Sequence, residues 1–322
     1  MRLKHLLTIA AMACSSLVHA QDYPNHPITI VLPAPPGGAT DALARVLAEE
    51  MGKRLKQTLI VDNKGGGAGM LGVQAVARAA PDGYTILLSH STPLMYVQHL
   101  FAKVPYDVHR DLAFITEVCS AYPLLTVRKD VPATNMKEFV AWAKANKGKL
   151  NYGSFGIGSS SHLLLAYLSE AQNLDLNHIV YKGEGPMVQD MLGGQIPMGI
   201  STLGTAAPHV AGGALRALAV MGDKRFVNLP EVPTMAEAGF PDPEYVAVAG
   251  FMLLAPAGTP APVLARLEQE ARAAIQSPAM KARFQIYGLV GVGGSAADAR
   301  RKFEASQPIV QKLVKVSGAK VE

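Results

Sequence analysis

The first hundred residues alternate short apolar runs with stretches of helical periodicity. Apolar runs at residues 28–31, 58–61 and 84–88 have the length and the β-branched content of buried strands. Between them, residues 41–55 and 71–79 carry apolar side chains at helical spacing. Strands that alternate with helices favour a mostly parallel sheet covered on both faces, so this pattern predicts an α/β fold.

A second unit of the same kind follows in the middle of the chain. Two short extended runs, residues 124–127 and 215–220, enclose another set of strands and helices. Because each run can serve as a crossing between two units, we predict an inserted domain at 124–220. The first domain would then be discontinuous and consist of residues 21–123 and 221–322, with one mostly parallel sheet in each domain.

The same patterns predict further elements in both units. A helix is expected to begin at Pro186, since proline suits the first position of a helix. The other predicted elements are strands at 179–181 and 249–254 and helices at 136–146, 162–170, 260–276, 278–287 and 295–316.

The N-terminus has the three parts of a secretory signal peptide. A basic start at Arg2 and Lys4 precedes an apolar run, and small residues lead up to Ala20. The run is shorter than the about 20 apolar residues that a membrane-spanning helix needs. A cut before Cys14 would instead give a lipoprotein, and that alternative stays open. We expect residues 1–20 to be a signal peptide and the mature protein to be exported and soluble.

Charge and cysteine content exclude several classes of protein. The 30 basic and 25 acidic residues become 28 and 25 once Arg2 and Lys4 are removed, which gives a net charge of +3. With no run of Lys or Arg, neither nucleic acid nor a membrane surface is an expected partner. Only Cys119 remains after cleavage, so no internal disulfide holds the fold. A chain of about 300 residues can supply the necessary hydrophobic core as two domains.

Three kinds of chemistry are disfavoured by the motifs. Residues 67–72 read G-A-G-M-L-G, but the next strand ends in Ser89-His90 and not in the acidic residue that a nucleotide ribose needs, so no cofactor is expected. Cysteine pairs, H-x-x-x-H sequences and dense acidic loops are absent, so no metal is expected. Ser154 lacks the first glycine of a nucleophile elbow, so no enzymatic reaction is expected. A secreted serine hydrolase of a carboxylic ester, using Ser154 or Ser160, is the alternative.

Turns rich in Gly, Ser and Thr are the candidate ligand sites. Gly37 and Gly38 lead from the first strand into a helix, and backbone N–H groups at such a helix start bind anions. Residues 89–92 follow the third strand and belong to the same sheet edge, where ligands of α/β proteins bind. Residues 150–161, with the helix predicted from His162, repeat the strand, turn and helix in the second unit, and Lys182 follows its next strand.

Longer motifs identify a family. In order, the chain carries Y-P-x-x-P-I from residue 23, V-x-P-x-x-P-G-G-x-x-D-x-x-A-R from residue 31, A-P-D-G-Y-T from residue 80, Y-G-S-x-G from residue 152 and P-x-V-P-T from residue 230. Over the whole mature chain these motifs resemble the receptors of tripartite tricarboxylate transporters, also called Bug proteins. The resemblance implies a monomeric type II periplasmic binding protein, whose two α/β domains close like a Venus flytrap on a small carboxylate, expected to be a di- or tricarboxylate. It also implies delivery of the ligand to a two-subunit membrane permease, and a receptor that feeds a signalling protein is the other alternative.

The resemblance further implies ligand contacts in both domains. The chain departs from the family pattern at Ala34, where an aromatic residue is usual, at Lys64-Gly65 and at His90. The small side chain of Ala34 leaves room for a bulkier or aromatic dicarboxylate. The candidate ligand-binding residues are Pro36, Gly37, Gly38, Ala39, Thr40, Asp41, Ser89, His90, Ser91, Thr92, Ser154, Gly158, Ser159, Ser160, His162, Lys182 and Gly183.

Overall fold

A computed structural model describes residues 23–246 and 250–320, and these residues contain two β-sheets. The predicted signal peptide therefore lies outside the described residues, as does residue 249 of one predicted strand. Within the described part, the first sheet has six strands in the order β11-β4-β10-β3-β1-β2. Their bounds are Ile28–Leu32 (β1), Leu59–Asn63 (β2), Thr85–His90 (β3), Leu112–Ala121 (β4), Gly250–Pro256 (β10) and Leu289–Gly291 (β11).

The second sheet has five strands among the described residues, in the order β7-β6-β8-β5-β9. All of them come from the segment between residues 124 and 220. Their bounds are Leu124–Arg128 (β5), Asn151–Ser154 (β6), Asn177–Val180 (β7), Met198–Ser201 (β8) and Leu215–Val220 (β9). The exact boundaries of the two domains stay a prediction.

The α/β class is confirmed, while the strand directions correct the expectation of mostly parallel sheets. In the first sheet β1 is parallel to β2 and β3, but β10 is antiparallel to both β3 and β4, and β11 is antiparallel to β4. In the second sheet β6 is parallel to β7 and β8, whereas β5 is antiparallel to β8 and β9. In the first sheet the strands that run against their neighbours are β10 and β11, which follow the whole second sheet along the chain. In the second sheet β5 runs against β8 and β9.

Helices surround both sheets. α7 begins two residues before Pro186, so that proline occupies the third helical position instead of the predicted first one. The described residues add six elements to the predicted ones, namely the strands β4, β8 and β11 and the helices Val97–Leu100, Val108–Asp111 and Leu203–Ala211. The helices are Ala39–Leu55 (α1), Met70–Ala77 (α2), Val97–Leu100 (α3), Val108–Asp111 (α4), Met136–Ala145 (α5), Ser160–Ala171 (α6), Glu184–Leu192 (α7), Leu203–Ala211 (α8), Ala261–Ile275 (α9), Pro278–Tyr287 (α10) and Ala296–Ser317 (α11).

The core is built from buried apolar faces of these elements. One cluster joins strands of the first sheet to α1, α9 and α10, with Leu47, Leu253 and Leu267 fully buried. Another includes Leu163 of α6 and Phe303 of α11, so the last helix shares a core with elements of both sheets. Over the described ranges, none of the helices combines the length and apolar character needed to cross a membrane.

Candidate ligand-binding site

A pocket of about 400 Å³ opens at the carboxyl ends of β1 and β3. This is the edge at which α/β proteins bind ligands, because the loops leaving the strands there are free to converge. Three of the predicted ligand residues form part of its wall. The lining residues are Pro33, Ala34, Pro35, Thr40, Gly65, Gly66, Ala68, Gly69, His90, Thr92 and Phe251, and we call this the ligand pocket.

Asp41 supports the turn between β1 and α1. Its buried carboxylate accepts hydrogen bonds of 3.0 Å each from the N–H of Gly37, from Nε of Arg45 and from Nδ2 of Asn63. Arg45 and the other donors lower the pKa of Asp41 to about 2. Because all three donors approach this one side chain, Asp41 holds the turn in shape beneath the ligand pocket.

The start of α1 offers donors to a ligand. The N-cap residue is Gly38, which has no side chain that could accept a hydrogen bond from the helix. The N–H groups of the first helical residues, Ala39 and Thr40, therefore have no acceptor within the helix. Thr40 lines the ligand pocket. The other predicted residues of this turn, Pro36, Gly37, Gly38 and Ala39, are exposed beside it.

The glycine-rich loop after β2 forms a wall that the sequence reasoning did not assign to the site. Gly66 and Gly69 have φ of 109° and 89°, in the region that favours glycine. A Cβ at Gly69 would lie 3.0 Å from Cγ of Pro93, and one at Gly72 would lie 2.8 Å from Cβ of Pro33. These glycines therefore let the loops pack closely against each other. The three consecutive glycines at 65–67 were the sequence signal for this wall, because a nucleotide fingerprint that begins at residue 67 does not require glycine at 65 and 66.

The end of β3 carries the only ionisable side chain in the described wall of the ligand pocket. β3 extends to His90, two residues beyond the predicted strand end, so Ser89 and His90 lie in the strand and not in a turn. Burial lowers the pKa of His90 to about 4, and Nδ1 of its ring is buried without a hydrogen-bond partner among the described residues. Ser89 and Ser91 are buried, whereas Thr92 lines the ligand pocket.

Two of the predicted serines of the second unit, Ser154 and Ser159, make local hydrogen bonds. Oγ of Ser154 lies 2.6 Å from Nε2 of His178, and Ser154 is fully buried. Ser159 caps α6 by accepting the N–H of His162. A serine next to a histidine resembles part of a hydrolase, but a fully buried Oγ cannot reach an ester. The contact therefore serves the local structure of the turn.

His162 belongs to a stack of rings. Its Nδ1 accepts the N–H of Gly158 at 3.1 Å, and its ring centroid lies 3.8 Å from that of His178. Tyr152 stacks on the other side of His178 at 4.9 Å. Burial, together with the neighbouring His178, lowers the pKa of His162 to about 4. Both histidines therefore act as neutral packing and hydrogen-bonding groups near pH 7.

The remaining candidates lie at the edge of the second sheet. Lys182 is exposed, Gly183 is the N-cap residue of α7 with φ of 113°, and Ser160 is the first residue of α6. None of the candidates between Ser154 and Gly183 lines the ligand pocket. The structure thus groups Thr40, His90 and Thr92 and leaves the second-unit candidates apart.

Other cavities lie away from this edge. One of about 450 Å³ lies beside α10 and is mostly apolar, and one of about 640 Å³ lies beside α6 and includes His162 and His178. Residues 23–246 and 250–320 contain no cluster of His, Cys, Asp and Glu that could hold a metal ion.

Comparison with known proteins identifies the family. The sequence model described as "Tripartite tricarboxylate transporter family receptor" matches residues 43–315. The chain is 35% identical to Protein BugT of Bordetella pertussis over 318 residues, covering 98% of this chain and 96% of BugT. It is also 35% identical to a protein encoded in the tcbD-tcbE intergenic region of Pseudomonas sp. strain P51, covering 97% of this chain and 94% of that protein.

Solved structures of similar proteins agree with this. The periplasmic binding protein BugD is 33% identical, with a TM-score of 0.73 over 93% of this chain and 100% of BugD. Rpa4515 of R. palustris with adipate is 29% identical (TM-score 0.77; 93% and 100% of the two chains), and MatC of Rhodopseudomonas palustris with bound malate is 28% identical (TM-score 0.70; 89% and 100%). Such proteins are two-domain solute receptors and not enzymes. This chain belongs to the receptor family of the tripartite tricarboxylate transporters.

Proposed function

We propose that this receptor captures a small dicarboxylate in the ligand pocket and delivers it to a two-subunit membrane permease. The observation that carries the proposal is the chemistry of the pocket wall. It combines the hydroxyl groups of Thr40 and Thr92 with the N–H groups at the start of α1, and its described residues include no Lys, Arg, Asp or Glu. Neutral donors at a helix start suit a carboxylate, because the helix dipole is positive at that end.

The size of the pocket supports a ligand larger than a short monocarboxylate. Its volume of about 400 Å³ lies in the range of small-molecule sites. Ala34 and Phe251 both contribute to the wall, so a small side chain lies near an aromatic one. Two similar proteins have been solved with an aliphatic dicarboxylate, Rpa4515 with adipate and MatC with malate. An aromatic dicarboxylate is the bulkier candidate for the space beside Ala34.

The second unit would complete the site when the domains close. Ser160 begins α6 and Lys182 follows β7, and both are at least partly accessible. In this proposal they meet the part of the ligand that protrudes from the ligand pocket. The receptor works in the periplasm, to which residues 1–20 would direct it.

A thermal-shift screen of the mature protein against mono-, di- and tricarboxylates tests the proposal. A ligand at a hundredfold excess over its Kd stabilises the folded state by about 2.7 kcal/mol, which gives a clear rise in melting temperature. Gly38→Phe is the site variant, because a Cβ at Gly38 has no atom within 4 Å and the fold can accommodate it. We expect a dicarboxylate to stabilise the wild type and not Gly38→Phe, while Gly38→Ala responds like the wild type. A flat response of well-folded wild-type protein to the whole panel would overturn the proposal.

A further inference from the structure

His90 carries a buried polar atom that lacks a partner within the described residues. Its Nδ1 is inaccessible to solvent and makes no hydrogen bond, although the side chain forms part of the ligand pocket wall. Buried polar groups nearly always have a hydrogen-bond partner, because an unpaired group has lost its hydrogen bonds to water and has gained none in the protein. Because Nδ1 has no exposed surface, a ligand in the pocket can pair with it only when the ring turns towards the pocket, and the unpaired atom makes His90 the group of this wall that gains a hydrogen bond by such a turn.

The surroundings of His90 are apolar. The ring of Phe251 lies 6.4 Å from the imidazole, centroid to centroid, and Pro33 and Ala34 belong to the same wall. Two ion pairs lie on neighbouring elements. Asp41 pairs with Arg45 and Asp62 pairs with Lys64, each with a nitrogen–oxygen distance of 3.0 Å. The titratable groups on the segments that surround His90 include Asp41, Arg45, Asp62, Lys64, Tyr96, Cys119 and Glu117, of which Glu117 pairs with Lys302 at 2.6 Å.

None of these groups determines the protonation of His90. Burial is the cause that lowers the pKa of His90 to about 4, so the imidazole is neutral near pH 7 in the ligand-free protein. A carboxylate that enters the pocket meets no fixed positive charge in its described wall. The imidazole is the one group there that can acquire such a charge.

We propose that His90 recognises the second carboxylate of a dicarboxylate ligand and takes up a proton when that ligand binds. This inference rests on the proposed function. The first carboxylate meets Thr40 and the N–H groups at the start of α1, and the second reaches the imidazole. A negative charge next to a poorly solvated imidazole favours the protonated form. The resulting hydrogen bond is charge-assisted, and therefore stronger than one between neutral groups.

Proton uptake gives the affinity a pH dependence of defined sign. The free receptor holds a neutral imidazole above about pH 4, and the bound receptor holds an imidazolium up to a higher pKa. Between these two values each bound ligand removes one proton from solution. The Kd for a dicarboxylate therefore rises with pH, by up to about tenfold for each pH unit.

Isothermal titration calorimetry with adipate, malate and the monocarboxylate hexanoate tests this. Binding is measured between about pH 6.5 and 8, where the carboxyl groups of all three ligands are ionised, in two buffers that differ in ionisation enthalpy, so that proton uptake appears as a difference in heat. We expect uptake approaching one proton for a dicarboxylate and none for hexanoate. His90→Gln keeps a hydrogen-bonding side chain that cannot be protonated. It should weaken dicarboxylate binding at about pH 6.5 by about tenfold, abolish the uptake and leave hexanoate unchanged.

Control variants separate this role from the receptor function. His26→Gln changes an exposed histidine before β1 and should bind like the wild type. Ligand-free melting temperatures report whether His90→Gln folds, and His90→Phe provides a second, apolar replacement. The role of His90 is overturned if the wild type binds dicarboxylates without proton uptake, or has the same pH profile as both His90 variants. If the wild type binds no dicarboxylate, the proposed function itself fails.

Discussion

Asp41 lies beneath the turn that leads into α1, and three donors converge on its side chain. The N–H of Gly37 and the side chains of Arg45 and Asn63 each donate to it at 3.0 Å, and Asn63 also donates to the carbonyl of Ala34 at 3.2 Å. The negative charge of Asp41 thus stabilises the conformation of the turn through these hydrogen bonds. A site for anions can therefore lie beside an acidic residue, because the carboxylate of that residue is bound by donors of the scaffold.

Replacing Asp41 by Asn should lower the free energy of unfolding by about 1–3 kcal/mol at pH 7, the usual cost of unpaired buried hydrogen-bonding groups. The neutral amide loses the ion pair with Arg45 and cannot accept from all three donors. Because the pKa of Asp41 is lowered to about 2, its contribution is complete above the ordinary pKa near 3.8 and is lost as the pH falls towards 2. Urea unfolding at pH 7 and at pH 3 measures both effects.

The difference between wild type and Asp41→Asn should therefore be smaller at pH 3 than at pH 7. Asp62→Asn is the matched control, since Asp62 pairs with Lys64 and both side chains are largely exposed. That variant should change stability by less than about 1 kcal/mol. An Asp41→Asn difference that stays constant with pH would show that the ionised carboxylate is not what holds the turn.

The turn before α6 contacts α3, a short helix that follows strand β3 of the first sheet. Gly158 has φ of 72°, and a Cβ built on it would lie 2.6 Å from Cδ1 of Leu100 in α3. Leu100 is 6% exposed, so it has little room to move away. The glycine is thus required by a close approach between two elements, whether or not it also contacts the ligand.

Gly158→Ala should destabilise the protein more than the positive φ alone explains, because the added methyl overlaps Leu100. Gly213→Ala is the control, since Gly213 has φ of 70° and open space at its Cβ; it isolates the backbone cost of about 1–2 kcal/mol. Leu100→Ala removes the obstacle at the usual cost of a cavity. The double variant Leu100→Ala/Gly158→Ala should then lose less stability than the sum of the single changes, as measured by thermal or urea unfolding. Additive losses would show that the two elements do not meet.

Local patterns predicted the elements well where the signal lies within one segment. The first strand, predicted at residues 28–31, is Ile28–Leu32, and the helix predicted at 278–287 is Pro278–Tyr287. The direction of β10 was not predictable in this way. It pairs Phe251 with His90 across 161 positions of the chain, and no local periodicity encodes such a partner.

The candidate site was predictable to a similar extent. Thr40, His90 and Thr92 were found because they end strands or begin helices, which fixes their place at the sheet edge. Phe251 was missed because it reaches that edge at the start of an antiparallel strand. Gly69 was missed because its motif was weighed as a nucleotide fingerprint and as a family motif but not as part of a pocket wall, although Gly69 allows a close approach to Pro93. Gly66 precedes that motif and was not considered.

At the scale of the molecule, α11 connects the two sheets. Phe303 in α11 lies with its ring centroid 5.3 Å from that of Phe114 in β4. Nine residues later, Nζ of Lys312 lies 2.7 Å from Oε1 of Glu244 and 3.3 Å from the hydroxyl of Tyr167 in α6. Helix α11 thus contacts elements of both units. A motion that brings the two units together must preserve these contacts or move α6 along α11.

A ligand that contacts both units should make the receptor more compact. Such a ligand binds the closed state more tightly than the open one and shifts the population towards it. A compact chain of about 300 residues has a radius of gyration of about 19 Å. We expect small-angle scattering to give a larger value for the ligand-free protein and a decrease towards this limit when a stabilising dicarboxylate is added.

Gly38→Phe should show no decrease, because it blocks the turn at which binding begins. The wild-type result separates two arrangements of the site. The described wall of the ligand pocket comes from the first sheet and its loops, so a ligand held there alone would raise the melting temperature without changing the radius. A decrease in radius requires that the ligand also contacts the second unit, where Ser160 and Lys182 are the accessible candidates. A dicarboxylate that stabilises the protein at constant radius would therefore remove these two residues from the site and leave recognition to the first domain.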